Sequence, residues 1–390
     1  MVTVTNEIQR LNLWKKSIEE QFFQISKINN SNKPIFYSIS SVSTNKKINP
    51  YTTPIRLFTN KVIAGAVVGS QIEALIVANY VEKLVTYLLL DVEKKIPIQK
   101  IPEEKIFKVF NLNKSLYTKN SKTVSGVEFG NISSAVRKTF SSKKIINYKP
   151  NDLTVESVWF FLSNKLKNFA NLKIAILGSG NIGFKLALKL VESGAHVNIH
   201  RRNKVLGLQL ANIINSVKPP NTLANAEFYD DPIRACTLCN VIIGTANTDS
   251  LVINESMLEV MVTKGIIIDC GKGNITEKAI NYAIELGLEA YRSDVTSGII
   301  SFVDQAISIK KIVNEKSGRK LFQGDISIIS GGIYGRYEDI IVDDYKNPKI
   351  IFGMADGRGK IMKQLTNNQF KKIKLVADNF KIDLPFFKII

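Results

Sequence analysis

The chain is poor in the residues that staple or metallate small proteins. Of 390 residues, three are cysteine and two are histidine. Three cysteines, Cys236, Cys239 and Cys270, cannot build a disulfide framework and suit a reducing compartment. Cys236 and Cys239 form a C-x-x-C, but there is no second such pair. The only histidines, His196 and His200, do not complete a zinc-ligand spacing. We read the pair as small core residues and expect no metal. Long apolar runs are also missing. The most hydrophobic stretch, Val62–Val81, is interrupted by Gln71 and Glu73, which disqualifies it as a membrane span. The first residues, MVTVTNEIQRLNLWKK, lack a signal-peptide pattern. The expected compartment is the cytoplasm, with no membrane partner.

Acidic residues are the other shortage: 34 Asp and Glu stand against 53 Lys and Arg, a formal net charge of +19. The lysines are dispersed, with no Arg-rich arm, RNA-binding aromatic signature or zinc-finger spacing. The excess therefore reads as solvated surface, and no nucleic-acid partner is expected. It would still favour a phosphate-bearing ligand. The chain is too long for one ordinary core.

Three regions emerge. Residues 1–150 read as a mixed α/β domain expected to hold substrate. A helix over 1–30 is followed by a strand at Pro34–Ser43, an apolar run with a helix over Val62–Val85, and a buried strand, Tyr87–Val92. Helices are expected over Ile101–Lys114 and Ile132–Phe140, loop signals with a short strand over Asn120–Gly130, and a strand and turn over Lys143–Pro150. Residues 151–300 alternate regularly. A helix over Thr154–Phe169, with Asp152 as a plausible cap, precedes strands at Lys173–Leu177, Val197–His200, Glu227–Tyr229, Val241–Gly244, Gly265–Asp269 and Glu289–Arg292. Five helices lie between these strands. This is the pattern of an α/β fold with a Rossmann doubly wound parallel sheet. Residues 301–390 read as a returning helix (301–316), an antiparallel appendage (324–365) and a basic amphipathic tail.

The central motif is Gly178-Ser179-Gly180-Asn181-Ile182-Gly183. It follows the strand KIAIL and opens a helix, the context in which G-x-G-x-x-G binds a dinucleotide. Gly178 permits the tight turn, Gly180 lets the backbone approach a pyrophosphate, and Gly183 lets helix and strand pack closely. The helix N-terminus offers free N–H groups to phosphate. At the end of the second strand, NAD enzymes usually carry an acidic residue for the ribose. Here stand His200, Arg201 and Arg202, with no acidic residue between Glu192 and Glu227. Two guanidinium groups suit a 2′-phosphate, so NADP is the expected cofactor. The loops Thr245-Ala246-Asn247 and Cys270-Gly271-Lys272-Gly273 are expected on the nicotinamide side, where Thr245 or Asn247 could bond the cofactor or simply cap a helix.

These residues resemble the shikimate dehydrogenase-like group of two-domain NADP-dependent dehydrogenases, over about residues 150–310. Asn151-Asp152 resembles the group's Asn-Thr-Asp segment. Arg201-Arg202-Asn203 stands where it carries Asn-Arg-Thr. Gly298–Ala306 is similar to its Gly-Met-Leu-Val-x-Gln-Ala segment. The resemblance implies hydride transfer to or from a small polar metabolite in an interdomain cleft. It makes Asn151 and Gln305 substrate-binding and Asp152 one member of a catalytic pair. The group's catalytic-lysine segment, Asn-Val-Thr-x-Pro-x-Lys, has no counterpart, and its Ser-x-Ser-Pro motif is matched only by Ser38-Ile39-Ser40. That departure points to a substrate other than shikimate. Lys94 and Lys95, just after the strand YLLLDV, are the candidates for the missing lysine, with solvated surface charge the plainer reading. Arg292, Asp294 and Asp304 are read as turn and helix-start residues, with substrate contact the alternative. A methylenetetrahydrofolate-type or amino-acid/imine dehydrogenase, or a non-catalytic dinucleotide sensor, would fit the same scaffold. A homodimer is compatible with the sequence.

Overall fold

The computed structural model describes residues 2–42, 48–96, 103–112, 132–246, 252–271, 273–384, 387 and 389. The chain divides into two compact units, Met1–Ile299 and Ile300–Ile390.

The first unit opens with helix α1 (Val2–Ile28). Leu11, Trp14, Ile18, Phe22 and Ile25 recur every three or four residues and are all buried, giving the helix one apolar stripe. This stripe belongs to the core of the first sheet. That sheet contains β1 (Ile35–Ser41), β2 (Tyr51–Thr52), β3 (Arg56–Leu57), β4 (Val62–Val68), β5 (Tyr87–Asp91) and β6 (Ile145–Tyr148). The order is β2-β4-β1-β5-β6, with β3 also on β4. Strands β4, β1, β5 and β6 run parallel, and the two-residue strands β2 and β3 run antiparallel to β4. Helix α2 (Gln71–Val81) is capped by Ser70, whose side chain accepts the Glu73 N–H. The buried Glu73 carboxylate takes Arg10 and the Gly69 N–H. Short helices α3 (Glu104–Val109) and α4 (Ile132–Val136) follow. The short strand expected within Asn120–Gly130 lies outside the described residues.

Helix α5 (Pro150–Leu166) starts four residues earlier than the pattern suggested, because Pro150 occupies its first turn with a φ already set for helix. Its N-cap is Lys149, so Asp152 lies inside the first turn and does not cap the helix. Strands β7 (Lys173–Leu177), β8 (His196–His200), β9 (Ala226–Tyr229), β10 (Val241–Gly244), β11 (Ile266–Asp269) and β12 (Glu289–Arg292) form a second sheet. Its order is β12-β11-β10-β7-β8-β9, with every pair parallel. Helices α6 (Asn181–Glu192), α7 (Lys204–Val217), α8 (Pro232–Cys236), α9 (Glu255–Glu259) and α10 (Glu277–Glu285) connect the strands. Two successive halves diverge from β7 and β10, the Rossmann arrangement, and the strand ends beside this switch point form the usual ligand crevice.

Helix α11 (Thr296–Lys311) begins five residues before the expected 301 and ends in a π-turn. In the second unit, β13 (Gly318–Leu321), β14 (Ser327–Ser330), β15 (Tyr337–Val342) and β16 (Ile351–Asp356) form a sheet in that order. The sheet is mixed, not antiparallel: β14 and β15 run parallel. Gly331 and Gly332, at φ +70° and +78°, reverse the chain within a connection far shorter than parallel strands ordinarily need. Helix α12 (Asn367–Phe380), with a capping box formed by Thr366 and Gln369, supplies Ile373 and Val376 to a core shared with Ile328, Ile340 and Met354.

The three cysteines are free and buried. Burial raises all three thiols, with Cys239 and Cys270 each pushed up to about 12, so at pH 8 they hold almost no thiolate. An aromatic disulfide reagent should label none of them quickly in the native protein and all three after denaturation; rapid native labelling of Cys236 or Cys239 would revive a redox role. Ile18→Ala should cost about 2–5 kcal/mol in denaturant unfolding, and Leu13→Ala, on the exposed face of α1, within about 0.5 kcal/mol of zero.

Candidate functional site

The turn from β7 into α6 is held by close backbone packing. Gly178 has φ +96°, and a Cβ there would lie 2.7 Å from the backbone nitrogen of Ala246. A Cβ on Gly183 would lie 2.5 Å from Thr245 Oγ1. That hydroxyl donates to the Gly178 carbonyl at 2.7 Å, so its proton is committed to the loop. A Cβ on Gly180 would meet nothing nearer than the Gly178 carbonyl at 4.0 Å. The first helical N–H groups of α6 have no partner within the helix. Ser179 is 1% exposed, and its Oγ has no hydrogen-bond partner among the described residues. Buried hydroxyls rarely stay unpaired. An open glycine, free helix N–H groups and an orphaned hydroxyl in one turn fit a phosphate-bearing ligand.

At the end of β8, Arg201 folds back so that Nη1 donates to the Ser179 carbonyl at 2.5 Å. Arg202 is exposed. His200 turns sideways, with Nδ1 3.1 Å from the Tyr229 carbonyl on the neighbouring strand. The structure thus puts Arg201 against the glycine turn, and His200 bonds along the sheet. Asn247 lies outside the described residues.

A cavity of about 470 Å³ opens within the first unit, between the C-terminal ends of its two sheets. Ile182, Thr245, Ala246, Cys270 and Gly271 line one side, and Ser38, Ser40, Lys95, Tyr148 and Asn151 the other. Gly271 must lack a side chain, since a Cβ would lie 2.4 Å from the Ala246 carbonyl.

Lys95 is one of the charged residues that line the cavity. Its Nζ lies 3.1 Å from Asp91 Oδ2 and 3.1 Å from Glu93 Oε2, and the three side chains are 8%, 0% and 12% exposed. Asp91 also accepts the Ser41 N–H and hydroxyl, each at 3.0 Å, and the Glu93 N–H at 2.8 Å. Burial raises the Asp91 carboxyl above its ordinary range, against the pull of Lys95 and these donors. Glu93 accepts the Asn151 N–H at 3.2 Å, which ties the end of β5 to the start of α5. Burial and the Asp91 charge push the Tyr148 phenol well up; its hydroxyl meets those of Ser40 and Ser38.

The structure separates the two lysine candidates: Lys95 lines the cavity, and Lys94 is exposed. It does not bring Asp152 together with Lys95. Asp152 does not line the cavity. Its carboxylate is held by Lys149 at 2.7 Å and by Lys185, and these cations keep it below its ordinary range despite the opposing effect of burial. The acids beside Lys95 are Asp91 and Glu93. Gln305 is exposed on α11 in the second unit. Sequence reasoning missed Asp91, Glu93, Tyr148 and Arg56; the one available signal was the acid ending an otherwise apolar strand, YLLLD.

No family model matches the chain, and no curated protein matches it. Solved structures similar to it include a chorismate mutase/shikimate 5-dehydrogenase fusion protein from Clostridium acetobutylicum, 15% identical over 73% of this chain and 92% of that one, at a TM-score of 0.32. L-Tryptophan dehydrogenase from Nostoc punctiforme is 9% identical over 70% and 74%, at 0.37. Glutamyl-tRNA reductase from Methanopyrus kandleri is 16% identical over 41% of this chain, which spans only 39% of that protein, at 0.32. Each of these matches is at low identity. The reading of function rests on the geometry of the chain itself.

Proposed function

We propose that the protein is an NADP-dependent oxidoreductase acting on a small polar molecule in the cavity that Lys95 lines. The observation that carries this reading is one of placement. A buried lysine, paired with two carboxylates, shares a cavity with Ile182 of the glycine turn and with the loops after β10 and β11. That is where a doubly wound sheet binds ligands.

Gly178, Ser179, Gly180 and the start of α6 would hold the pyrophosphate, and Arg201 and Arg202 the 2′-phosphate. Ala246 and Gly271 leave backbone for a flat ring to lie against. When bound, the cofactor supplies the hydride. The chain's own part is proton handling. Lys95 Nζ donates a proton to the oxygen of a reacting carbonyl, or accepts one from an alcohol in the reverse direction. Asp91 and Glu93 hold the ammonium in place and balance its charge. Asn151, at the start of α5, lines the same space.

Calorimetry with NADPH and NADH tests the cofactor. NADPH should bind more tightly, and Arg201→Ala with Arg202→Ala should weaken it by roughly ten- to a hundredfold while leaving NADH nearly unchanged. If neither dinucleotide binds, the oxidoreductase reading falls. Lys95→Arg keeps the charge on Asp91 and Glu93 but replaces the donor with a group that does not release protons near neutrality. With a substrate found by screening under NADPH, it should lower kcat by about 10²–10⁴ with NADPH affinity retained; an unchanged kcat would remove Lys95 from the chemistry.

A further inference from the structure

The cavity is one-sided in charge. Lys95, Arg56 and Arg292 line it, and among the described residues no Asp or Glu does. Lys95 is balanced from behind by Asp91 and Glu93. The arginines are not balanced in the same way. Arg56, on β3, donates from Nε to Thr296 Oγ1 at 2.8 Å, and its Nη2 lies 3.8 Å from Asp294 Oδ1. Arg292, the last residue of β12, stands two positions before that aspartate. It has no ion pair among the described residues, and its charge reaches Tyr51 on β2. The segment 292–296 thus brings one guanidinium from each sheet to the same part of the cavity. Among the described residues, the only carboxylate in ion-pair range of either is Asp294, which meets Arg56. Asp294 is 70% exposed at its side chain and already accepts the Thr296 N–H at 2.9 Å and hydroxyl at 2.6 Å.

We propose that Arg56 and Arg292 bind an oxyanion carried by the substrate, a carboxylate or a phosphate monoester, with the reacting carbon held toward Lys95. The inference rests on the reading of this cavity as the substrate site and names the class of molecule it takes. Guanidinium groups offer forked donors that match the paired oxygens of either anion. A cavity with low-dielectric walls strengthens that attraction relative to open water. A neutral substrate would leave the Arg292 guanidinium without an anion and Arg56 with only the exposed Asp294, and a site built for a charged group rejects the analogue that lacks it.

The test uses the full chain with NADPH bound and matched ketone probes: pyruvate and levulinate, their amides, and dihydroxyacetone phosphate against dihydroxyacetone. Binding is read by calorimetry. At least one oxyanion probe should bind and its neutral partner should not, and the carboxylate and phosphate sets identify which oxyanion is taken. Arg292→Gln, at an exposed position that does not threaten folding, should weaken binding of that probe by roughly ten- to a hundredfold. Arg56→Lys, which keeps the charge and loses the fork, should weaken it less, and NADPH affinity should stay unchanged in both variants. The inference is overturned if neutral and charged probes bind alike, if no oxyanion probe binds, or if Arg292→Gln binds as well as the parent. Failure of NADPH itself to bind would instead strike the oxidoreductase reading, so the two failures are distinguishable.

Discussion

The tight crossing of the β7–α6 turn over the loop that follows β10 is the constraint on which the site depends. Gly178 at φ +96° leaves the strand, with the Ala246 backbone where its side chain would be. Gly183 sits equally close to Thr245, whose hydroxyl closes the contact onto the Gly178 carbonyl. Two loops from different strands are thereby fixed to one another by backbone atoms, with no long side chain able to relax the fit. This sets the origin and direction of α6, and so puts Ile182 at the cavity wall and the free N–H groups at its edge. The parallel strands on either side are continuous runs of buried Ile, Val, Ala and Leu, as expected of a sheet covered on both faces. They give that crossing a rigid base.

The Lys95 cluster obeys a different logic. Removing one cation and two carboxylates from water costs several kcal/mol per ion, and an apolar replacement is often as stable or more so. Stability alone would not select this arrangement. Its members are nonetheless heavily bonded: Asp91 takes four donors counting Lys95, and Glu93 links to the first turn of α5. Such investment in a polar group at the end of a strand and facing a cavity is the pattern of a site where stability has been exchanged for chemistry. Asp152, by contrast, is a partly exposed carboxylate between two surface lysines. Its ion pairs are of the kind that contribute little.

The second sheet was legible because its central strands are short buried runs separated by helix-length segments; β7, β10 and β12 appear with the limits the sequence suggested. The first sheet was legible only in part. Strands β1 and β5 have clear apolar patterns, whereas β2 and β3 are two residues long and carry no periodicity, so Arg56 gave no sign of its place. Adjacent lysines after β5 are equivalent in sequence. Lys95 lines the cavity and pairs with Asp91 and Glu93, whereas Lys94 is exposed. The parallel pairing of β14 and β15 was hidden because a short connection normally signals a hairpin. Two successive positive-φ glycines overrode that rule.

The net charge illustrates why composition is a weak guide to a binding site. An excess of +19 spread over dispersed lysines is screened within about a Debye length, ~8 Å at physiological salt, and does not by itself mark a site. The cations with consequence are few and are distinguished by position. Arg56 and Arg292 face a concavity whose lining contains no carboxylate among the described residues, where the field is focused and screening is reduced. The same number of charges moved to α7 or α12 would leave the composition untouched and the chemistry absent. Reading function from charge therefore requires knowing which charges share a cavity and which of them already have a counter-ion. Arg56 and Arg292 share a cavity, and of the two only Arg56 has a carboxylate in ion-pair range among the described residues.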